Sequence, residues 1–349
     1  MFGFYFEPLA QTVEHRPFKA RALGSIPRRL NFPSNIEELM SLCKNNIWLA
    51  PMAGFTNFVF RKMCLDFGAG QAFSEMISIE GIVRNNLQSL VYPEETKIGI
   101  IQIFGGDEKI FYKVGRFLTT NFGLTTVDVN FGCPVKKVLK SKAGGYLLNF
   151  PEKMADIIKA LKDSGLNVYA KIRAGFSEEN LENIIPVIDK AGVDVITLHA
   201  RLATQFYSGV AKLEYILKAR SLTNKFLVAN GDIKTPEDII KVLQTTKANA
   251  VMLGRIALEK PYIFKMAIDY LKNGEYKEPS YEEKKRMIFD YTKNYIESFK
   301  KERIVEIRGI LLHLIKGFPF AKELRDKIAK IDNFNDFLTV IEEMDRYKT

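Results

Sequence analysis

The sequence predicts a (β/α)8 barrel followed by a small bundle of α-helices. Three observations lead there. Eight short β-branched runs alternate with longer segments of helical period, polar and glycine-rich signals recur at the ends of those runs, and strand signals stop after Pro261. The runs are Ile47–Gly54, Ala72–Met76, Ile98–Gly105, Thr126–Asn130, Asn167–Arg173, Asp194–Ala200, Lys225–Gly231 and Asn249–Gly254. Each is short and apolar, as parallel strands covered on both faces must be.

Between them, Pro151–Ser164, Ser177–Ala191 and Thr235–Thr246 carry apolar residues at helical spacing. Thr235-Pro236-Glu237-Asp238 reads as a helix start: a capping hydroxyl, proline at the first helical position, then acids at the positive end of the dipole. Eight such units fit a closed barrel better than an open doubly wound sheet. Beyond it, Tyr281–Lys301, Ile304–Lys316, Phe320–Lys330 and Phe334–Tyr347 are expected as helices. The resulting domains are a barrel over residues 39–272 and a helical domain over 278–349. Residues 1–38 show no sustained period and are expected to be an extension that is disordered or foreign to the functional chain, with Met40 an alternative start.

Composition narrows the class. An apolar share of 47% supplies a packed core, and no apolar run approaches the ~20 residues of a membrane span. No cleavable signal opens the chain. Cys43, Cys64 and Cys133 form no CxxC pair, which suits the cytoplasm, and with three histidines they argue against a structural zinc site. The net charge of +10 fits either a polyanion partner or plain solubility.

The chemistry-bearing residues gather where barrel enzymes keep their active sites, at the C-terminal ends of the strands. These are Pro51-Met52-Ala53-Gly54, Gln102, Asn130-Phe131-Gly132-Cys133-Pro134, Lys171 with Arg173, His199 with Arg201, Asn230-Gly231-Asp232 and Gly254-Arg255. Glycines after strands seven and eight let backbone N–H groups approach a phosphate, and Arg255 adds a charged clamp. The alternative is two ordinary tight turns.

In order along the chain, APMAG (50–54), IQIFGG (101–106), VDVNFGCPVKKV (127–138), AGGYLL (143–148), AKIRAGF (170–176), LHAR (198–201), ANGDI (229–233) and MLGR (252–255) resemble the transfer-RNA dihydrouridine synthases. The likeness continues into the tail at Arg308, Lys316-Gly317-Phe318-Pro319 and Leu324-Arg325. It implies FMN as prosthetic group, NADPH or NADH as reductant and tRNA as substrate; no protein partner is implied, and a monomer is the default expectation. Carried over by position, Pro51, Met52 and Ala53 pack on the flavin, Gln102 bonds its edge, and Lys171 and His199 sit beside the ring. Asn230, Gly231, Asp232, Gly254 and Arg255 hold the ribityl-phosphate. A buried ammonium at Lys171 suits a ring that is anionic when reduced.

Cys133 is the expected catalytic acid. Reducing the uracil 5,6 double bond requires hydride at C6 and a proton at C5 from the opposite face, and a thiol after strand four can supply the latter. Asn130 and Arg201 go with the substrate. Lys136, Lys137, Lys140 and Lys142 are either a solvated helix face or phosphate contacts. Arg308, Lys316, Arg325 and Lys327 are candidate phosphate contacts of the tail. Arg308-Gly309-Ile310 stands where the family often has Arg-Lys-His, which leaves the target uridine open. The competing readings are a flavin barrel acting on a free pyrimidine or other small unsaturated carbonyl compound, and an RNA-binding protein without catalysis. Intact Cys133, Lys171 and Gln102 speak against the second.

Overall fold

The computed structural model describes residues 46–84, 96–299 and 304–344. The expected N-terminal extension and Met40 lie outside the described residues. Eight parallel strands close into a barrel in chain order: β1 (Ile47–Leu49), β2 (Gln71–Ser78), β3 (Ile100–Phe104), β4 (Thr126–Asn130), β5 (Asn167–Arg173), β6 (Val195–His199), β7 (Phe226–Asn230) and β8 (Ala250–Leu253), with β8 returning to β1. β4 and β5 coincide with the expected runs, whereas β1 is much shorter than Ile47–Gly54. Pro51 has no N–H for a ladder, and the chain turns at once: the Phe55 and Thr56 N–H groups both donate to the Met52 carbonyl, each at 3.0 Å.

Alternation along the strands sorts side chains into a core between strands and helices and a separate interior of the barrel. In the interior, Trp48 stacks on Tyr169 at 6.1 Å and on Phe226 at 5.6 Å, and Phe73 leans on the indole. Together with Val195, Val228 and Met252 these rings plug the barrel floor. Further up the barrel the lining turns polar, at Gln102, Asp128 and Thr197, all buried. At the rim it is Asn130, Lys171, His199 and Asn230, two residues past Asp128, Tyr169, Thr197 and Val228 respectively.

The helix start read from sequence is present: Thr235 Oγ1 accepts from the Asp238 N–H, Asp238 Oδ2 accepts from the Thr235 N–H, and Pro236 opens the helix Pro236–Thr246. The tail forms helices Tyr281–Phe299, Arg308–Leu314, Ala321–Ile328 and Phe334–Met344. The second expected helix begins instead as a 3-10 turn, Ile304–Ile307. The tail's apolar residues, among them Ile307, Leu311, Leu324 and Phe337, belong to the same cluster as the barrel's outer core. The seam runs beside β1. Asn57 donates to the Tyr291 hydroxyl at 2.9 Å, His313 meets Phe55 edge-on at 5.4 Å, and Lys316 is ion-paired to Glu259.

Candidate active site

The polar layers at the barrel mouth form a connected chain. Gln102 Nε2 donates to Asp128 Oδ2 at 2.6 Å, and Asn130 Nδ2 donates to Gln102 Oε1 at 2.9 Å. Asn130 Oδ1 then accepts from the N–H groups of Gly132 at 3.1 Å and Cys133 at 2.9 Å. One asparagine side chain thus shapes the turn that carries the thiol. The AGG segment supports the turn from the other side. The Gly145 N–H donates to the Cys133 carbonyl at 2.9 Å, and a Cβ on Gly144 (φ +59°) would come within 3.2 Å of the Cys133 Cβ. Burial pushes the Cys133 thiol up, against the Val135 backbone N–H and the charges of Arg173 and Lys171, so it is protonated at neutral pH.

Lys171 donates to Asn230 Oδ1 at 3.3 Å, and Asn230 Nδ2 donates to the Met252 carbonyl at 2.7 Å. Burial brings the Lys171 ammonium down to about 8, with Arg173 acting the same way and Asp128 and Cys133 opposing. Below that value the ammonium form prevails, which is the form an anionic ring would need. His199 is held well below its ordinary value by burial and then by Lys171, Arg173, Arg201 and Arg255. Its Nε2 lies 3.3 Å from Arg201 Nη1, and a guanidinium can only donate. His199 is therefore neutral with its proton on Nδ1.

The corner after β7 and β8 is built around Asp232. Its Oδ2 accepts from Arg201 Nη2 at 2.6 Å and from the Ala211 N–H at 2.8 Å, and its Oδ1 accepts from Arg255 Nη2 at 3.2 Å. Partial burial works to raise this carboxyl, but the Ala211 N–H, the Arg201 bond and both arginine charges outweigh it. At Gly231 (φ +134°) a Cβ would sit 2.7 Å from the Ala211 Cβ, so the chain there requires glycine. Gly254 is different: its Cβ would meet nothing nearer than Ala50 Cβ at 3.9 Å and Met52 Sδ at 4.0 Å. Arg255 is exposed, and its guanidinium and that of Arg173 each lie 5.7 Å from the Tyr207 ring.

The family model for dihydrouridine synthase matches residues 48–347. The chain belongs to the dihydrouridine synthase family. It is 34% identical over 311 residues to a probable tRNA-dihydrouridine synthase of Aquifex aeolicus, covering 87% of this chain and 97% of that protein. It is 37% identical over 237 residues to tRNA-dihydrouridine synthase B of Vibrio vulnificus, covering 66% and 73% respectively. The chain is accordingly an enzyme of a flavin-dependent oxidoreductase family.

The mouth fits the family's flavin. A Cβ at Gly254 would make only ordinary contact with Ala50 and Met52, and the next residue, Arg255, is exposed. The ammonium of half-buried Lys171 makes one hydrogen bond, to Asn230, and retains further donors. Gln102 keeps a second amide hydrogen and a second lone pair beyond its two bonds. Pro51 and Met52 are half-buried, Ala53 is exposed, and the Gly54 N–H is tied to Glu75 Oε2 at 2.7 Å.

Residues read as RNA contacts divide sharply. Lys136, Lys137, Lys140 and Lys142 are exposed, with no ion pair among the described residues. In the tail, Arg308 donates to Asp332 and to the Ile331 carbonyl, both at 2.6 Å, Lys316 pairs with Glu259 and Lys327 with Glu343. Arg325 is exposed. Arg201, expected beside the substrate, is 1% exposed and donates to the carbonyls of Ser208 (3.2 Å) and Gly209 (2.8 Å) as well as to Asp232. It is a strut for the loop after β6, not an open contact. Asp128, Glu75 and Tyr207 also belong to the site without standing in any strand-end motif, and Arg173 joins them through Tyr207 and the Leu202 carbonyl. An acid at an inward position of an otherwise apolar strand, as in Val127-Asp128-Val129, was the available signal for the first.

Proposed function

We propose that this chain reduces uridine in transfer RNA to 5,6-dihydrouridine, with FMN held at the barrel mouth and NADPH as reductant. The observation that carries the reading is Cys133 on an asparagine-fixed turn, beside Lys171 and Arg173 and followed by the exposed lysines of 136–142. When bound, the flavin supplies hydride-transfer chemistry. The protein's part is to bind, orient and protonate. Lys171 offers a positive charge to the ring, and Gln102 and His199 offer hydrogen bonds. Asn230, Gly231, Asp232, Gly254 and Arg255 form the phosphate corner, with Arg255 the clamp and Asp232 its brace. The Cys133 thiol gives the proton to C5 of a uracil extruded from its stack, since a base within a stem cannot reach a barrel mouth. The enzyme is read as a cytoplasmic monomer, with the helical domain as a second RNA surface.

The test is direct. Unmodified tRNA incubated with the flavin-loaded protein and NADPH should gain dihydrouridine, read by mass spectrometry of its nucleosides. Reduction of free uridine at a comparable rate, with tRNA untouched, points instead to the small-molecule reductase. Arg255→Ala should purify with much less flavin but an unchanged circular-dichroism spectrum, because the clamp is exposed and outside the core. Full flavin occupancy in that variant removes Arg255 from the phosphate corner.

A further inference from the structure

Asp128 is a fully buried carboxylate inside the barrel, with neither a place at the rim nor a role in the reading above. Its Oδ2 takes the Gln102 bond, and its Oδ1 is buried without a hydrogen-bond partner among the described residues. Such a group is expensive to keep and would be replaced without loss by an apolar residue if packing were its whole task. Its neighbours give it another. We propose that Asp128 is a positioning residue for Cys133, its carboxylate anchoring the hydrogen bonds through Gln102 and Asn130 that hold the thiol-bearing turn.

An ionised carboxylate only accepts, so Gln102 turns its Nε2 toward Asp128 and presents Oε1 to Asn130. Asn130 must then give its Nδ2 to Gln102, which aims its Oδ1 at the Gly132 and Cys133 N–H groups. Those backbone groups only donate. The chain is thus fixed at both ends, acceptor at Asp128 and donors at the turn, and each bond polarises the next. A neutral amide at 128 keeps the shape but loses the charge that strengthens the first link. The charged groups that bear on the two ends are Lys171, which attracts Asp128, and Lys171 with Arg173 beside Cys133. Tyr169 lies opposite Asp128 in the β4–β5 register and is protonated. Burial pushes Asp128 up to about 7, with the Gln102 bond and Lys171 pulling against it, so the anchor is ionised above neutrality.

The inference rests on Cys133 as the reactive thiol, but its test needs no uridine, so it can fail while the proposed reaction stands, and the reverse. The rate of Cys133 alkylation by iodoacetamide is followed between pH 7 and pH 10 in the flavin-loaded protein by peptide mass spectrometry. Asp128→Asn should loosen the turn, raise the alkylation rate at pH 8 by about fivefold, and move its midpoint down as the thiol leaves its buried setting. The double variant Asp128→Asn with Gln102→Glu moves the charge one link along: the first bond reverses, the new amide donating to the new carboxylate, while Asn130 still donates to position 102 and keeps its Oδ1 on the turn. It should return the profile toward wild type, which a packing defect would not allow. A single variant with the wild-type profile, or a folded double variant as displaced as the single one, overturns the proposal. Should neither variant accumulate, amide exchange in the wild type decides. The Gly132 and Cys133 N–H groups must exchange slowly, and rapid exchange sinks the anchor.

Discussion

Cys133→Ala should lower dihydrouridine formation by roughly 10²–10⁴, the range for removal of a general acid. The same variant should hold its flavin and still bleach on addition of NADPH, because the entry of reducing equivalents makes no use of the thiol. The geometry predicts little disturbance of the turn, since Asn130 grips it by backbone N–H groups and Gly145 by the Cys133 carbonyl. The pH profile adds a sign. Burial holds the thiol above its ordinary value, and the donor is its protonated form. Turnover should therefore persist across neutral pH and fall on the alkaline side as the thiol ionises, with no such limb in the alanine variant. Cys133→Ser should recover part of the rate, as a hydroxyl retains a proton. Stopped-flow absorbance for the first half-reaction and nucleoside mass spectrometry for the second separate these outcomes. Undiminished dihydrouridine formation by the alanine variant takes the cysteine out of the chemistry.

The second large effect concerns where RNA is gripped. Changing Lys136, Lys137, Lys140 and Lys142 together to glutamine should weaken tRNA binding more than changing Arg308, Lys316 and Lys327 together. The rim lysines are exposed and have no acidic partner among the described residues, whereas each of the three tail residues already faces a carboxylate. A cation released from its carboxylate must offset that loss before it gains from a phosphate. Each rim lysine that meets a phosphate should lower the log–log salt slope of binding by about one. Filter binding at several salt concentrations reads both affinity and slope. If the tail triplet dominates, those ion pairs open on binding and the tail is the principal grip. Arg325, exposed, belongs with whichever group the slopes favour.

How far the sequence carried the reading depended on which physical signal each feature left. β4 and β5 were legible to the residue because both are bounded by sharp changes in polarity at Asn130 and Asn167. The end of β1 was not, because Pro51 and Met52 look apolar enough to extend a strand while their backbone turns away. The glycines after strands seven and eight read alike in the sequence, yet only Gly231 lies where a Cβ would press on Ala211, a crowding set by a residue twenty positions away. The inward burial of Arg201 was not, since an arginine two residues past a histidine can equally point outward or fold back on its own loop. It folds back because the Ser208 and Gly209 carbonyls and the Asp232 carboxylate surround it. Ion pairs that neutralise the tail's basic residues join positions as far apart as Glu259 and Lys316, and no local pattern announces them.

The stacked rings at the barrel floor have a consequence for traffic. With Trp48 stacked between Tyr169 and Phe226, the lower end of the barrel is filled, which leaves the opposite mouth as the way in. In the proposed reaction the reductant and the extruded base would share that doorway and visit it in turn, so an excess of either caller should keep the other waiting outside.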